Sequence, residues 1–350
     1  MSQTADSYIF KSITDKFSRP IRDLRISVTD RCNFRCPYCM PAEFYGEKYE
    51  FLKRPHILSF EEIERLTRLF VSTGVSKLRI TGGEPLVRSN LPDLISKLSV
   101  IDGINDVALT TNGYLLENNA QQLKNAGLNR LTISLDSIDP DVFKKMSGRP
   151  QGPTNTLAGI KAAASMGFDQ IKINVVVQRG INEHTLIDTA RYFKGTGAIV
   201  RFIEFMDVGT KNGWELSQVF TSDEIIQTIN AEFPLEPIEP NYKGEVARRY
   251  RYVDGSGEIG VISSVSKPFC GDCTRARLST DGKLITCLFA SGGTDLKTPM
   301  RSGATDPELA AIINKVWTGR NDRYSELRSN DTDFENDSDD SKVEMYYIGG

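Results

Sequence analysis

Outside two short windows, the 350-residue sequence contains no cysteine. Histidine is nearly absent, with only His56 and His184, and the net charge of -3 is close to balance. No apolar run is long enough to cross a bilayer. Each shortage removes a class of protein. Without scattered thiols there is no disulfide-stapled scaffold, and residues 1–20 lack an apolar run followed by a cleavage site, so a reducing cytoplasm is the expected location. Neither histidine lies inside a cysteine window, so neither window offers the four Cys/His ligands of structural zinc. Balanced charge argues against general nucleic-acid binding, and no membrane partner is expected.

The cysteines that are present form two triplets: Cys32, Cys36 and Cys39, then Cys270, Cys273 and Cys287. Three thiols cannot pair among themselves. Three thiolates can hold three irons of a 4Fe–4S cluster and leave the fourth iron open to a substrate or cofactor. Two such sites imply two clusters and point to chemistry rather than electron storage. Arg22, Arg25, Arg31 and Arg35 crowd the first triplet, Arg275 and Arg277 follow Cys273, and Arg248, Arg249 and Arg251 precede Cys270. Beside metal sites such arginines are expected to bind anions, because guanidinium grips phosphate oxygens in a fork.

Residues 21–230 alternate strand-like and helix-like segments, with strands expected at 23–29, 76–82, 106–112, 130–136, 170–178 and 199–206. A helix begins at Ser59, where Ser59 and Glu62 form a capping box, and others are expected over 91–99, 114–126, 154–166 and 183–194. About six strand–helix units predict an α/β fold, an incomplete (β/α)6 barrel rather than a complete eight-stranded one. The pleat sets Leu24, Ile26, Leu78, Ile80, Leu131, Ile133, Ile171 and Ile173 on one face. Arg25, Arg79, Thr110, Thr132, Ser134, Lys172 and Asn174 take the other. The apolar face must meet the helices, so the polar face lines an interior suited to a polyanion. The sixth strand reads as mixed, with Val200, Phe202, Glu204 and Met206 on one face. The expected domains are an N-terminal segment (1–20), the barrel (21–230), an extension of short strands that closes one end and brings up the second triplet (231–329), and an acidic linker with a Gly-Gly tail (330–350).

Cys-x3-Cys-x2-Cys directly after the first strand, with Tyr38 before the last cysteine, resembles the cluster loop of the radical S-adenosylmethionine superfamily. Gly82-Gly83-Glu84-Pro85 at the end of the second strand, alone readable as a turn, matches that superfamily's methionine-binding motif. Cys-x2-Cys-x13-Cys, an Arg-x-Arg after its second cysteine and a terminal Gly-Gly resemble the GTP 3′,8-cyclase family of molybdenum-cofactor biosynthesis, over nearly the whole chain. The resemblance implies that Cys32, Cys36 and Cys39 hold the S-adenosylmethionine cluster and that Cys270, Cys273 and Cys287 hold a second cluster facing the guanine base. It implies S-adenosylmethionine contacts from Tyr38, Gly83, Ser134 and Met206, and GTP contacts from Arg25, Arg79, Thr110, Lys172, Arg275, Ala276 and Arg277. Arg25, Arg275, Arg277, Gly349 and Gly350 are the candidate catalytic set. The implied reaction removes hydrogen from C3′ of the ribose by a 5′-deoxyadenosyl radical and joins C3′ to C8 of the guanine. A cyclic pyranopterin monophosphate synthase would take the product, an electron donor is implied, and a homodimer is possible.

Two alternatives stand beside this. A peptide-modifying maturase of the same superfamily would share the N-terminal half but carries more C-terminal cysteines. A non-enzymatic iron–sulfur or zinc sensor would not need a polar substrate cavity. The run from Ser341 to Gly350, apolar after the acidic linker, is either a frayed end or an arm that docks where a Cβ would clash.

Overall fold

The computed structural model describes residues 12–330 and 342–349. Its first half repeats strand and helix: β1 (Asp23–Ser27), α1 (Phe60–Ser72), β2 (Lys77–Thr81), α2 (Leu91–Ser99), β3 (Asp106–Thr111), α3 (Ala120–Asn125), β4 (Arg130–Ser134), α4 (Pro140–Ser147), α5 (Thr154–Ser165), β5 (Gln170–Val177), α6 (Leu186–Phe193), β6 (Ile199–Glu204) and α7 (Ser222–Glu232). The second half adds β7 (Leu235–Ile238), β8 (Arg248–Tyr252), β9 (Glu258–Ile262), β10 (Arg275–Leu278), β11 (Lys283–Ile285), β12 (Thr294–Asp295), α8 (Lys297–Arg301), α9 (Asp306–Gly319), α10 (Tyr324–Asn330) and α11 (Met345–Ile348).

One mixed sheet runs through the described residues in the order β12-β11-β10-β1-β2-β3-β4-β5-β6-β9-β8-β7. The six expected strands form its parallel centre. At either edge the extension adds a further parallel strand, β10 beside β1 and β9 beside β6, before antiparallel pairing takes over. The two ends of the strand order do not pair with each other.

The period-two pattern explains the layering. Leu24, Ile26, Leu78, Ile80, Val107, Leu109, Leu131, Ile133, Ile171, Ile173, Val200 and Phe202 enter one continuous core with the helices' apolar faces. The opposite face carries Arg25, Arg79, Thr110, Thr132, Lys172 and Arg201.

Local signals account for the helices. Ser59 and Glu62 close a reciprocal capping box on α1. α3 begins only at Ala120, later than periodicity suggests, because residues 114–119 are a turn that closes on Gly113 and Leu116 carbonyls. α4, not foreseen, starts where Asp139 caps the Asp141 and Val142 amides and Pro140 occupies the first turn. α7 and α9 begin with the boxes Thr221–Glu224 and Thr305–Glu308.

The extension is tied to β6 by a buried carboxylate. Glu204 accepts from the backbone N–H of Ser222 (2.7 Å), Val265 (2.8 Å) and Ser266 (2.8 Å). It also accepts from the Ser266 hydroxyl. One side chain thus fixes the start of α7 and the loop after β9. Glu204→Ala would strand two buried amides, those of Ser222 and Val265, each costing about 1–3 kcal/mol. Urea denaturation should therefore show a loss of at least about 2 kcal/mol, with Glu204→Gln less damaging because it keeps one acceptor oxygen.

Candidate active site

The polar face of the sheet opens into a cavity of about 340 Å³. All six cysteines line it, and all six are free thiols. The two triplets, more than 200 residues apart in sequence, reach the same space because β10 pairs alongside β1.

The first triplet lies on the loop after β1. Arg35 holds that loop by its carbonyls: its Nε donates to Tyr45 O (2.6 Å), and its Nη1 to Cys32 O (2.8 Å) and Phe34 O (2.7 Å). Arg35 is therefore a loop brace rather than the anion binder expected of it. The Phe34 amide donates to Cys32 Sγ at 3.3 Å. Gly83 follows β2 and presses against the same loop: a Cβ there would lie 2.4 Å from Arg31 O. Glu84, fully buried, accepts from Thr111 Oγ1 (2.7 Å), Asn112 N (2.7 Å) and Leu86 N (2.9 Å). Burial pushes its carboxyl up to about 7 against those donors. Tyr38 donates to Asp136 Oδ2 at 2.7 Å, and burial raises Asp136 to about 6. Burial likewise pushes the Cys32 thiol up to about 12 and raises Cys36 and Cys39.

The second triplet has different surroundings. Burial pushes Cys273 up, but Arg275 and Arg320 outweigh it and bring the thiol down to about 6. Arg275 Nη2 donates to Cys273 Sγ at 3.2 Å. Cys287 is raised, mainly by burial. Among the described residues no three His, Cys, Asp or Glu side chains converge on a single-ion position.

Between the two loops lies a cationic floor. Ten arginines and lysines line the cavity against six carboxylates, so the enclosed charge is positive. Arg277, Arg25 and Arg79 sit in register on β10, β1 and β2. Like charges on adjacent strands repel. Burial, then Arg277, Arg275 and Arg79, pull Arg25 well below the usual arginine range. Burial and Arg275 lower Arg277 to about 10. Arg79 donates to Thr110 (3.1 Å) and Thr132 (2.9 Å). Burial, then Arg201 and Arg130, depress Lys172 to about 7.

Of the sequence-assigned residues, Tyr38, Gly83, Ser134, Met206, Arg25, Arg79, Thr110, Lys172, Arg275 and Arg277 line this one space. Ala276 does not: it is fully buried in the helix-side core, so only its backbone is available to the cavity. Arg249 pairs with Glu258 and Arg251 with Glu236, away from the anion site expected of them. Lys77, Arg130 and Arg201 line the cavity but were not anticipated. Continuing the same pleat would have found Lys77 beside Arg79 and Arg130 beside Thr132. Arg201 was hidden because β6 was read through Val200 and Phe202, which face the core.

The C-terminal segment reaches the cavity too. Lys342 Nζ donates to Asp207 (3.1 Å) and Tyr324 (2.6 Å), and Glu344 accepts from Thr210 N (2.9 Å) and Oγ1 (3.0 Å). The Tyr346 and Tyr49 hydroxyls share a 2.8 Å hydrogen bond, and Met345 and Tyr346 line the cavity. Ile348 is fully buried. Gly349 has φ +69°, and a Cβ there would lie 2.0 Å from Thr81 Cγ2. Gly350 and residues 331–341 lie outside the described residues.

A parallel α/β sheet with a free-cysteine loop after its first strand and a Gly-Gly-Glu-Pro turn after its second defines the radical S-adenosylmethionine class, and the family model described as Radical SAM superfamily matches residues 26–193. A second, Molybdenum Cofactor Synthesis C, matches residues 198–326. The chain belongs to the GTP 3′,8-cyclase family: it is 49% identical to the GTP 3′,8-cyclase of Staphylococcus epidermidis, over 97% of this chain and 99% of that one. The Xanthomonas axonopodis pv. citri relative of the same name is 50% identical over 96% and 98%. In fold, the chain is similar to Streptococcus suis SuiB, solved bound to S-adenosylmethionine, with TM-score 0.61 and 14% identity over 91% of this chain and 70% of that one.

If each triplet holds a cluster, replacing Cys270, Cys273 and Cys287 together by alanine should lower reconstituted iron from about eight to about four per chain. Colorimetric iron assay checks this, and an unchanged iron content would remove the second triplet from the site.

Proposed function

We propose that this chain converts GTP to (8S)-3′,8-cyclo-7,8-dihydroguanosine 5′-triphosphate, the first step of molybdenum-cofactor biosynthesis. The observation that carries the reading is one cavity bounded by both cysteine triplets and floored by buried cations in excess of carboxylates.

The donor set fits two iron–sulfur clusters: six free thiols in two groups, with N–H donors already at Cys32 and Cys273. Cys32, Cys36 and Cys39 would hold one, and Cys270, Cys273 and Cys287 the other. When bound with S-adenosylmethionine, the first supplies one-electron chemistry able to take hydrogen from an unactivated carbon. The chain's own task is orientation. Tyr38, Gly83, Ser134 and Met206 line the same cavity and would seat S-adenosylmethionine. Arg25, Arg79, Lys172, Arg275 and Arg277, with the Thr110 hydroxyl and the Ala276 backbone, would grip the triphosphate and leave the guanine toward the second triplet. Holding one flexible nucleotide at both ends brings two of its own atoms into bonding range. The tail, seated on Thr81 with Ile348 buried, would complete the wall and limit water.

The same reading takes residues 21–230 as an incomplete (β/α)6 barrel, residues 231–329 as the extension that closes one end, and residues 1–20 and 330–350 as the flanking segment and docking tail. The product would pass to a cyclic pyranopterin monophosphate synthase, an electron donor would feed the clusters, and the setting would be cytoplasmic; a homodimer fits the reading. Among the described residues no helix is long and apolar enough to cross a membrane.

Anaerobic incubation with dithionite, S-adenosylmethionine and each nucleoside triphosphate, followed by mass analysis, tests the activity. Cleavage of S-adenosylmethionine without a cyclised GTP product would exclude it.

Lys172 makes binding pH-dependent. With its pKa near 7 in the free protein, it is mostly neutral at pH 8. A triphosphate beside it favours the charged form and raises that pKa, so GTP binding should take up roughly one proton at pH 8 and weaken as pH rises further. Calorimetry in buffers of different ionisation enthalpy measures the uptake; Lys172→Met should abolish it. At the tail, Gly349→Ala should leave the iron content intact and cut cyclised product at least roughly ten-fold, because the side chain meets Thr81 in a backbone region that glycine alone adopts freely. Pairing it with Thr81→Ser, which removes the clashing methyl, should restore part of the turnover.

A further inference from the structure

The segment before β1 carries no recognisable motif, yet it is built into the second cysteine loop. Asp15, Arg19 and Arg320 form an ion network whose side chains are 0%, 2% and 1% exposed. Asp15 Oδ2 accepts from Arg19 Nε (2.6 Å) and Arg320 Nη1 (3.0 Å), while Oδ1 accepts the Phe17 and Arg19 amides at 2.9 Å each. Both guanidiniums then reach the loop. Arg19 Nη1 donates to Cys270 O at 2.7 Å and Asp322 O at 2.9 Å. Arg320 Nη1 donates to Cys273 O at 2.9 Å, and its Nε to Asp322 Oδ2 at 3.1 Å. The Trp317 indole fixes Arg19 O at 3.1 Å, and Lys16 N fixes Arg320 O at 3.2 Å. Arg19 Nη2 is buried with no hydrogen-bond partner, on a side chain that lines the cavity beside Cys270 and Cys273.

An isolated buried ion network is weak support for stability, since desolvation offsets most of the attraction. Its placement is the informative part. Two cations from opposite ends of the sequence grip the carbonyls of the two cysteines in Cys-x2-Cys. They are held there by one acid that is itself out of solvent. An iron–sulfur group becomes more negative on reduction, and its potential follows local charge, hydrogen bonding and burial.

We propose that Arg19 and Arg320, oriented by Asp15, are positioning residues for the second cluster: they fix the Cys270–Cys273 turn and raise that cluster's reduction potential relative to the first. This rests on the second triplet holding a cluster.

The test is a redox titration of the reconstituted full chain followed by electron paramagnetic resonance, with S-adenosylmethionine added to mark the first cluster's signal. Arg19→Gln and Arg320→Gln should each move the second cluster's midpoint to more negative potential and leave the first unchanged. Arg320→Lys, which keeps charge but not the fork, should retain most of the potential yet release iron to a chelator roughly ten-fold faster. Arg19→Gln and Arg320→Gln variants with full iron and an unshifted second midpoint would overturn the proposal, as would equal shifts in both clusters. If Arg320→Gln does not fold, Arg19→Gln alone decides, because Cys273 O is still held. An unsubstituted chain that reconstitutes only about four irons would instead sink the two-cluster reading, leaving the failures distinguishable.

Discussion

Everything in this molecule depends on a sheet that presents hydrocarbon on one face and unneutralised positive charge on the other. The apolar face is ordinary: Leu24, Ile26, Leu78, Ile80 and their neighbours pack beneath helices. The polar face is not. Arg277, Arg25 and Arg79 stand side by side at strand spacing of about 4.8 Å, where like charges oppose each other. Arg201 continues the charge across the sheet, with burial and neighbouring cations holding it down to about 9. A folded chain keeps such a row only if the rest of the core is stable enough to carry it. The stored repulsion becomes useful binding energy when a polyanion arrives.

The same constraint explains why the cysteine loops are braced through their backbones. In the proposed reading the thiol sulfurs and inward guanidinium nitrogens stay available to ligands, and the loops are held by their carbonyls instead. Arg35 takes Cys32 O, Arg19 takes Cys270 O and Arg320 takes Cys273 O. Arg19 and Arg320 also line the cavity, so position in sequence does not separate bracing arginines from anion-binding ones. Which donors are already spent on carbonyls does.

Much of the architecture was legible because it follows from period two. The six central strands, the apolar and polar faces, and the inward set Arg25, Arg79, Thr110, Thr132, Ser134 and Lys172 all come from alternation within single strands. What was not legible comes from pairing between distant segments. That β9 and β10 extend the parallel sheet at both edges, or that Asp15 and Arg320 meet under Cys273, leaves no local periodicity. Ala276 shows the limit of carrying over a motif whole: its neighbours Arg275 and Arg277 face the cavity, and the pleat alone requires the residue between them to face the core. α4, α7 and α9 were readable in principle, since Asp139-Pro140, Thr221–Glu224 and Thr305–Glu308 are ordinary start signals.

The tail joins these points. A cavity carrying excess positive charge must open to admit its ligands and yet exclude water during radical chemistry. A rigid wall could not do both. The segment that covers it is instead held by separable polar contacts, Lys342 to Asp207, Glu344 to Thr210 and Tyr346 to Tyr49, each exchangeable for water at small net cost. Beyond them a buried Ile348 and a glycine tight against Thr81 provide close packing that no larger residue could reproduce. Exchangeable anchors followed by a close-fitting end suit the docking tail of the proposed reading.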